Sequence, residues 1–117
     1  SKMKLPGDTL IERGKLTQYL LVPRKRNDKS KWLAQGGYTL DNWQALETDL
    51  RNLMLSADAK LVEETGYGKM YEIVGKIGRP EGKILSVCTI WMIERAPGRS
   101  KFITMYPDKR ILREEEK

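Results

Sequence analysis

The stretch KILSVCTIWMIER, residues 83–95, constrains this chain more than any other. Alternate residues of a β-strand point to opposite faces. One face carries Ile84, Ser86, Cys88, Ile90 and Met92, and the other carries Leu85, Val87, Thr89, Trp91 and Ile93. Both faces are apolar, which predicts a central strand of the sheet. Ala96-Pro97-Gly98 makes a turn, and KFITMY, residues 101–106, follows as the next strand. YGKMYEIVGKI, residues 67–77, reads as the preceding strand, and residues 59–64 as a shorter one.

The first half of the chain has a different period. TLDNWQALETDLRNLMLSAD places Trp43, Leu46, Leu50, Leu53 and Met54 at helical spacing. Thr39 suits the N-cap and Asp41 the first turn, which predicts a helix over about 40–55. Leu16, Tyr19 and Leu20 predict an amphipathic helix over 13–21, stopped by Pro23. Asn27 or Asp28 would cap a short helix through about Gln35, ended by Gly36-Gly37. Pro6-Gly7-Asp8 marks a turn before a short extended piece. Helices first and strands second predict an α+β fold. N-terminal helices pack on one face of a C-terminal antiparallel sheet of about four strands. At 117 residues this is one domain, 1–117, with its core in 4–107 and a charged tail in 108–117.

The helices are expected on the plainer side of strand 83–95, where Ser86 and Cys88 leave room for close approach. On strand 101–106, Ile103 and Met105 read as core and Phe102, Thr104 and Tyr106 as a mixed face. Thr89, Trp91, Thr104 and Tyr106 are then expected together on the uncovered side, joined by Lys69 and Tyr71 of strand 67–77. The alternative is a second small core of aromatics rimmed by hydroxyls.

Charge points to a polyanion. Lys and Arg total 22 against 16 Asp and Glu, for a net +6; Arg113–Lys117 contributes −1, so the body carries +7. Such an excess favours nucleic acid, an acidic protein or an anionic surface. Arg24, Lys25, Arg26, Lys29 and Lys31 lie within eight residues. Histidine is absent altogether, which excludes Ser-His-Asp and Cys-His catalysis and removes the commonest metal ligand. With one cysteine, Cys88, there is neither an internal disulfide nor a zinc site to expect, and a buried structural thiol is the simpler reading. No apolar run approaches the ~18 residues of a membrane span, so no membrane anchor is expected.

Several segments together resemble one family. LPGDTLIERGKLTQYLL is similar to its opening, with a KL-x-x-YLL signature. RNDKSKWLAQGGYTLDNWQAL is similar to its lysine-containing lead into a helix. The segment YGKMYEIVGKIGRPEGKILSVCTIWMIE and then KFITMYP resemble its closing T-x-W and (V/I)T-x-YP strands. The likeness spans about residues 4–107. The family comprises small bacterial domains, alone or at the C-terminal tips of polymorphic and contact-dependent inhibition toxins. It resembles in turn the Barnase–EndoU–Colicin–RelE ribonuclease superfamily, whose fold packs helices on an antiparallel sheet and cuts RNA on the opposite face.

The resemblance implies an endoribonuclease toxin acting on RNA, in particular tRNA. It also implies a cognate immunity or antitoxin protein, expected to be acidic. The site of action would be the cytoplasm, after delivery as the C-terminal part of a secreted or surface toxin. It assigns Thr104 and Tyr106 to active-site support and centres on Lys29. The chain lacks the histidine pair of the EndoU-like branch and would rely on Lys and Arg, as colicin-like and RelE-like members do.

The chemistry is feasible without histidine, metal or cofactor. RNA carries its own nucleophile, the ribose 2′-OH. Cations and hydroxyls aimed at the developing phosphorane contribute roughly 3–4 kcal/mol each. The candidate cations are Lys29, Lys31 and Lys69; the candidate donors are Tyr71, Thr89, Thr104 and Tyr106. Trp91 is a candidate base-stacking platform, Arg24, Lys25 and Arg26 would steer RNA, and Lys31 would contact phosphate. A non-catalytic RNA- or DNA-binding module and a basic protein-interaction domain remain open alternatives.

Overall fold

Leu46, Leu50 and Met54, one helical period apart, all lie fully buried on the long helix. The computed structural model describes residues 2–110. Its elements are β1 (Lys2–Met3), α1 (Arg13–Lys15, running on as a wide π-turn Leu16–Leu20), α2 (Ser30–Gln35), a 3₁₀ turn (Leu40–Asn42) leading into α3 (Trp43–Ser56), β2 (Ala59–Glu64), β3 (Gly68–Ile77), β4 (Leu85–Glu94) and β5 (Ser100–Pro107). The strands form one antiparallel sheet in sequence order, four long strands edged by the two-residue β1. The fold is α+β, with α3 packed against the sheet. Among the described residues no helix is long and apolar enough to cross a membrane. The expected charged tail lies, beyond Arg110, outside the described residues.

Local chemistry sets the helix ends. The Asp28 carboxylate accepts from the Ser30 amide at 2.8 Å and from its hydroxyl at 2.6 Å, just ahead of α2. Those hydrogen bonds hold the Asp28 carboxyl below its ordinary pKa. The Thr39 amide donates to Asn42 Oδ1 at 2.7 Å before α3. Buried Tyr38 donates its phenol to Asp49 at 2.5 Å, and Arg79 reaches the same carboxylate at 3.5 Å, tying α3 to the β3–β4 turn. Burial and the Asp49 partner raise the Tyr38 phenol well above its usual range. At Gly82 a Cβ would meet the backbone of Gly36 and Gly37, so glycine alone lets this turn close on the end of α2.

The covered face of the sheet is the reverse of the one expected from Ser86 and Cys88. The helices pack on Leu85, Val87, Thr89, Trp91 and Ile93, together with Tyr71, Ile73 and Ile77 of β3. Two physical reasons decide it. Trp91 and its neighbours offer the larger apolar area, and burial scales with area. The close approach comes from Gly75 on β3, where a Cβ would stand 2.5 Å from Leu53 Cδ1 of α3.

A second difference is the phase of β5. The ladder pairs Ile90 with Thr104 but Trp91 with Phe102, leaving Ile103 as an extra bulged residue. Phe102 therefore joins Met105 in the core and meets Trp91 edge-on, with ring centroids 5.1 Å apart. Thr104 and Tyr106 stay on the uncovered face, opposite Ile90 and Cys88.

The N-terminal arm closes the outer edge of β5. The Leu10 amide donates to Ser100 O at 2.9 Å, and the Phe102 amide to Leu10 O at 2.8 Å. Beyond this bridge α1 turns inward, burying Leu16 and Leu20.

Candidate functional site

Lys29 and Thr104 meet across 75 residues of sequence: the lysine ammonium donates to Thr104 Oγ1 at 3.2 Å. Lys29 is held by its backbone, because its carbonyl accepts the first hydrogen bond of α2 from the Leu33 amide at 2.9 Å. Thr104 is held by the β5 bulge, which aims it away from the core. Tyr19, half-buried at the end of the π-turn, packs against the core, and its ring is approached by both Lys29 and Arg24. The Arg24 guanidinium carbon lies 4.6 Å from the Tyr19 ring centroid and Lys29 Nζ lies 5.5 Å from it. Asn27, with a left-handed φ of 56°, bends the loop that brings both cations to one ring.

These side chains line a cleft of about 650 Å³, with Glu12, Lys15, Gln18 and Ile103 completing its walls. Among the described residues Lys15, Arg24 and Lys29 form no ion pair, whereas Lys4, Arg79, Arg99, Lys101 and Arg110 each have a carboxylate. The cleft thus presents three cations outside any ion pair among the described residues, a hydroxyl, an aromatic ring and one carboxylate, Glu12.

The other expected site residues lie elsewhere. Thr89 and Trp91 are sealed in the core, which corrects their assignment to a working surface. Trp91 Nε1–H donates to Thr89 Oγ1 at 2.7 Å, and the Thr89 hydroxyl donates to Ile73 O at 2.7 Å. Both polar groups are thereby satisfied internally. Tyr71 is buried beside Trp91. Lys69 is exposed but belongs to the row of Tyr71 and Ile73, so it lies on the opposite side of the sheet from Thr104. Lys69 and Tyr71 share a hollow with Glu64, Glu94 and Arg95 near the β2–β3 turn. Lys25, Arg26 and Lys31 are exposed near the Lys29 cleft in sequence without lining it.

Tyr106 shares the uncovered face with Thr104 but lines a separate hollow of about 510 Å³, with Glu72, Cys88, Asp108 and Arg110. The Cys88 thiol donates to Glu72 at 3.2 Å, and Arg110 bridges Glu72 at 3.2 Å and Asp108 at 3.0 Å. Burial pushes the Cys88 thiol up to about 11, and the adjoining thiol together with burial pushes the Tyr106 phenol up to about 12. Both groups stay protonated until strongly alkaline pH. Iodoacetamide is therefore expected to label Cys88 slowly at pH 8, with the rate climbing only toward pH 11. A rate at pH 8 equal to that of a free thiol would contradict the buried, carboxylate-bonded environment.

The sequence reading missed Glu12, Lys15, Gln18 and Tyr19. Glu12 and Gln18 carry no motif, while Lys15 and Tyr19 belong to the KL-x-x-YLL signature, which carries no role with it. Tyr19 was masked by its place in a hydrophobic stripe, and its ring serves both roles, packing on the core and lining the cleft.

Residues 4–109 match the family described as "Domain of unknown function (DUF6883)". No curated protein and no solved structure matches the chain.

Proposed function

The chain belongs to the DUF6883 family, and we propose that its Lys29–Thr104 cleft cleaves RNA as a metal-independent endoribonuclease. The observation that carries this reading is the group of cations with no carboxylate partner gathered on a hydroxyl and an aromatic ring. Three cations against one carboxylate leave the cleft net positive, which suits a phosphodiester. Its place supports the reading too, since Thr104 lies on the sheet face opposite α3, the side that the Barnase–EndoU–Colicin–RelE resemblance uses for RNA.

In the proposed reaction the ribose 2′-oxygen attacks phosphorus as its proton passes to the Glu12 carboxylate. The O2′–P bond forms and the P–O5′ bond breaks. Lys29 and Thr104 donate to the non-bridging oxygens as their charge grows, and Lys15 supplies the proton taken up by the leaving 5′-oxygen. The products are a 2′,3′-cyclic phosphate and a 5′-hydroxyl. The remaining expectations rest on the resemblance alone: tRNA as target, an acidic immunity protein, and cytoplasmic action after delivery as the C-terminal part of a toxin.

The test is incubation of the protein with total tRNA in EDTA. Discrete fragments bearing cyclic phosphate ends are expected. Retention of intact RNA on a gel would replace the nuclease by a binding module. Neither cleavage nor retention at low salt would leave the basic surface to a protein partner.

A further inference from the structure

We infer that Tyr19 is the stacking platform for an unpaired base, which makes the substrate of this cleft single-stranded RNA. The inference rests on the reading of the cleft as an RNA site. Trp91, the aromatic that the sequence recommends for stacking, is entirely buried and bonded to Thr89. The ring that lines the cleft is Tyr19, anchored against the core along part of its surface. It carries Arg24 at 4.6 Å, an exposed residue with no carboxylate partner among the described residues.

An exposed cation–π contact is weaker than a base stacked on an aromatic ring, so a base displaces the guanidinium. The freed Arg24 then has a phosphate as partner, which it can grip with two N–H donors. Lys29 stays on Thr104 and sets the adjoining phosphodiester against the hydroxyl. A cleft of about 650 Å³ is of single-ligand size and holds a nucleotide, not a stack of base pairs. In an A-form duplex the base faces are already stacked, and only edges show in the grooves. A ring recessed among Lys15, Gln18 and Ile103 therefore reaches a base only after that base has swung out of its stack.

The experiment separates binding from cleavage. A 2′-O-methyl RNA oligonucleotide lacks the nucleophile, so its affinity is measured by fluorescence anisotropy without turnover, single-stranded and as a duplex of the same sequence. The single strand is expected to bind at least ~5-fold tighter, the lower end of what one stacked base contributes. Tyr19→Leu should erase that preference, while Tyr19→Phe keeps it. Because Tyr19 also packs on the core, wild-type protein supplies an independent readout: irradiation with a 5-iodouracil oligonucleotide should crosslink Tyr19. Equal affinity for duplex and single strand, or crosslinks that avoid Tyr19, would overturn the inference even if unmodified RNA is cut. Cleavage failing while Tyr19 crosslinks and the preference persists would instead remove the nuclease reading and leave this one standing.

Discussion

Lys29→Met should lower RNA cleavage by roughly 100- to 1000-fold, the effect of removing one preorganised donor to a developing oxyanion, while the melting temperature barely moves. The variant keeps an unbranched side chain against Tyr19 and deletes the ammonium. Lys29 has no ion pair among the described residues, so no carboxylate is stranded by its loss. The partner of its ammonium, Thr104 Oγ1, is half-exposed and turns to water. Folding thus loses little and the transition state loses its nearest positive charge. Thr104→Val should also slow cleavage. The two groups act as a unit across one hydrogen bond, so the double variant should be far less impaired than the product of the two single effects. Single-turnover rates on one mapped fragment, with thermal melts beside them, decide the matter. Wild-type rates for Lys29→Met would take the chemistry out of this cleft. A loss of rate matched by a loss of folded protein would make Lys29 structural.

The helical layer was legible because the period of Leu46, Leu50 and Met54 is a local property, and each of them is buried as spaced. The strands were legible from β-rich runs and their Gly and Pro turns, and the sheet runs in sequence order. Which face the helices cover was not legible. Both rows of β4 are apolar, and the decision fell to Gly75 on the neighbouring strand and to the size of Trp91. Alternation likewise cannot show a bulge, and the extra residue at Ile103 moved Phe102 into the core.

The site divides the same way. Lys29 and Thr104 meet by tertiary structure, 75 residues apart, and nothing in their spacing announces it. The resemblance had named both. It had named Tyr106 too, and strand phase had added Lys69, but the register puts Lys69 across the sheet and Tyr106 beside Cys88. Tyr19 illustrates the converse limit. A residue at core spacing is read as core, although a half-buried ring leaves part of its surface free for a ligand.

The buried pair Trp91 and Thr89 carries the other large effect. Trp91→Ala is expected to cost about 3–5 kcal/mol, the usual range for deleting a large aromatic from a packed core. For a domain of this size that is a fall of some 15–25 °C or more in melting temperature. The side chain is wholly inaccessible, edge-on to Phe102 and inside the hydrophobic core. Thr89→Val is the subtler probe. It conserves volume yet removes the acceptor of the indole N–H and the donor to Ile73 O. The stranded indole N–H should cost about 1–3 kcal/mol. Trp91→Phe removes that donor as well, so combining it with Thr89→Val should cost less than the sum of the two single changes. Chemical denaturation of the four proteins measures the coupling. Were Trp91 an exposed stacking platform, as expected had the helices packed over Ser86 and Cys88, its loss would weaken RNA binding and shift stability by no more than about 0.5 kcal/mol. The two arrangements thus predict opposite ratios of stability loss to binding loss for one substitution, and a folded Trp91→Ala protein of near-native stability would invert the sheet assignment on which the cleft depends.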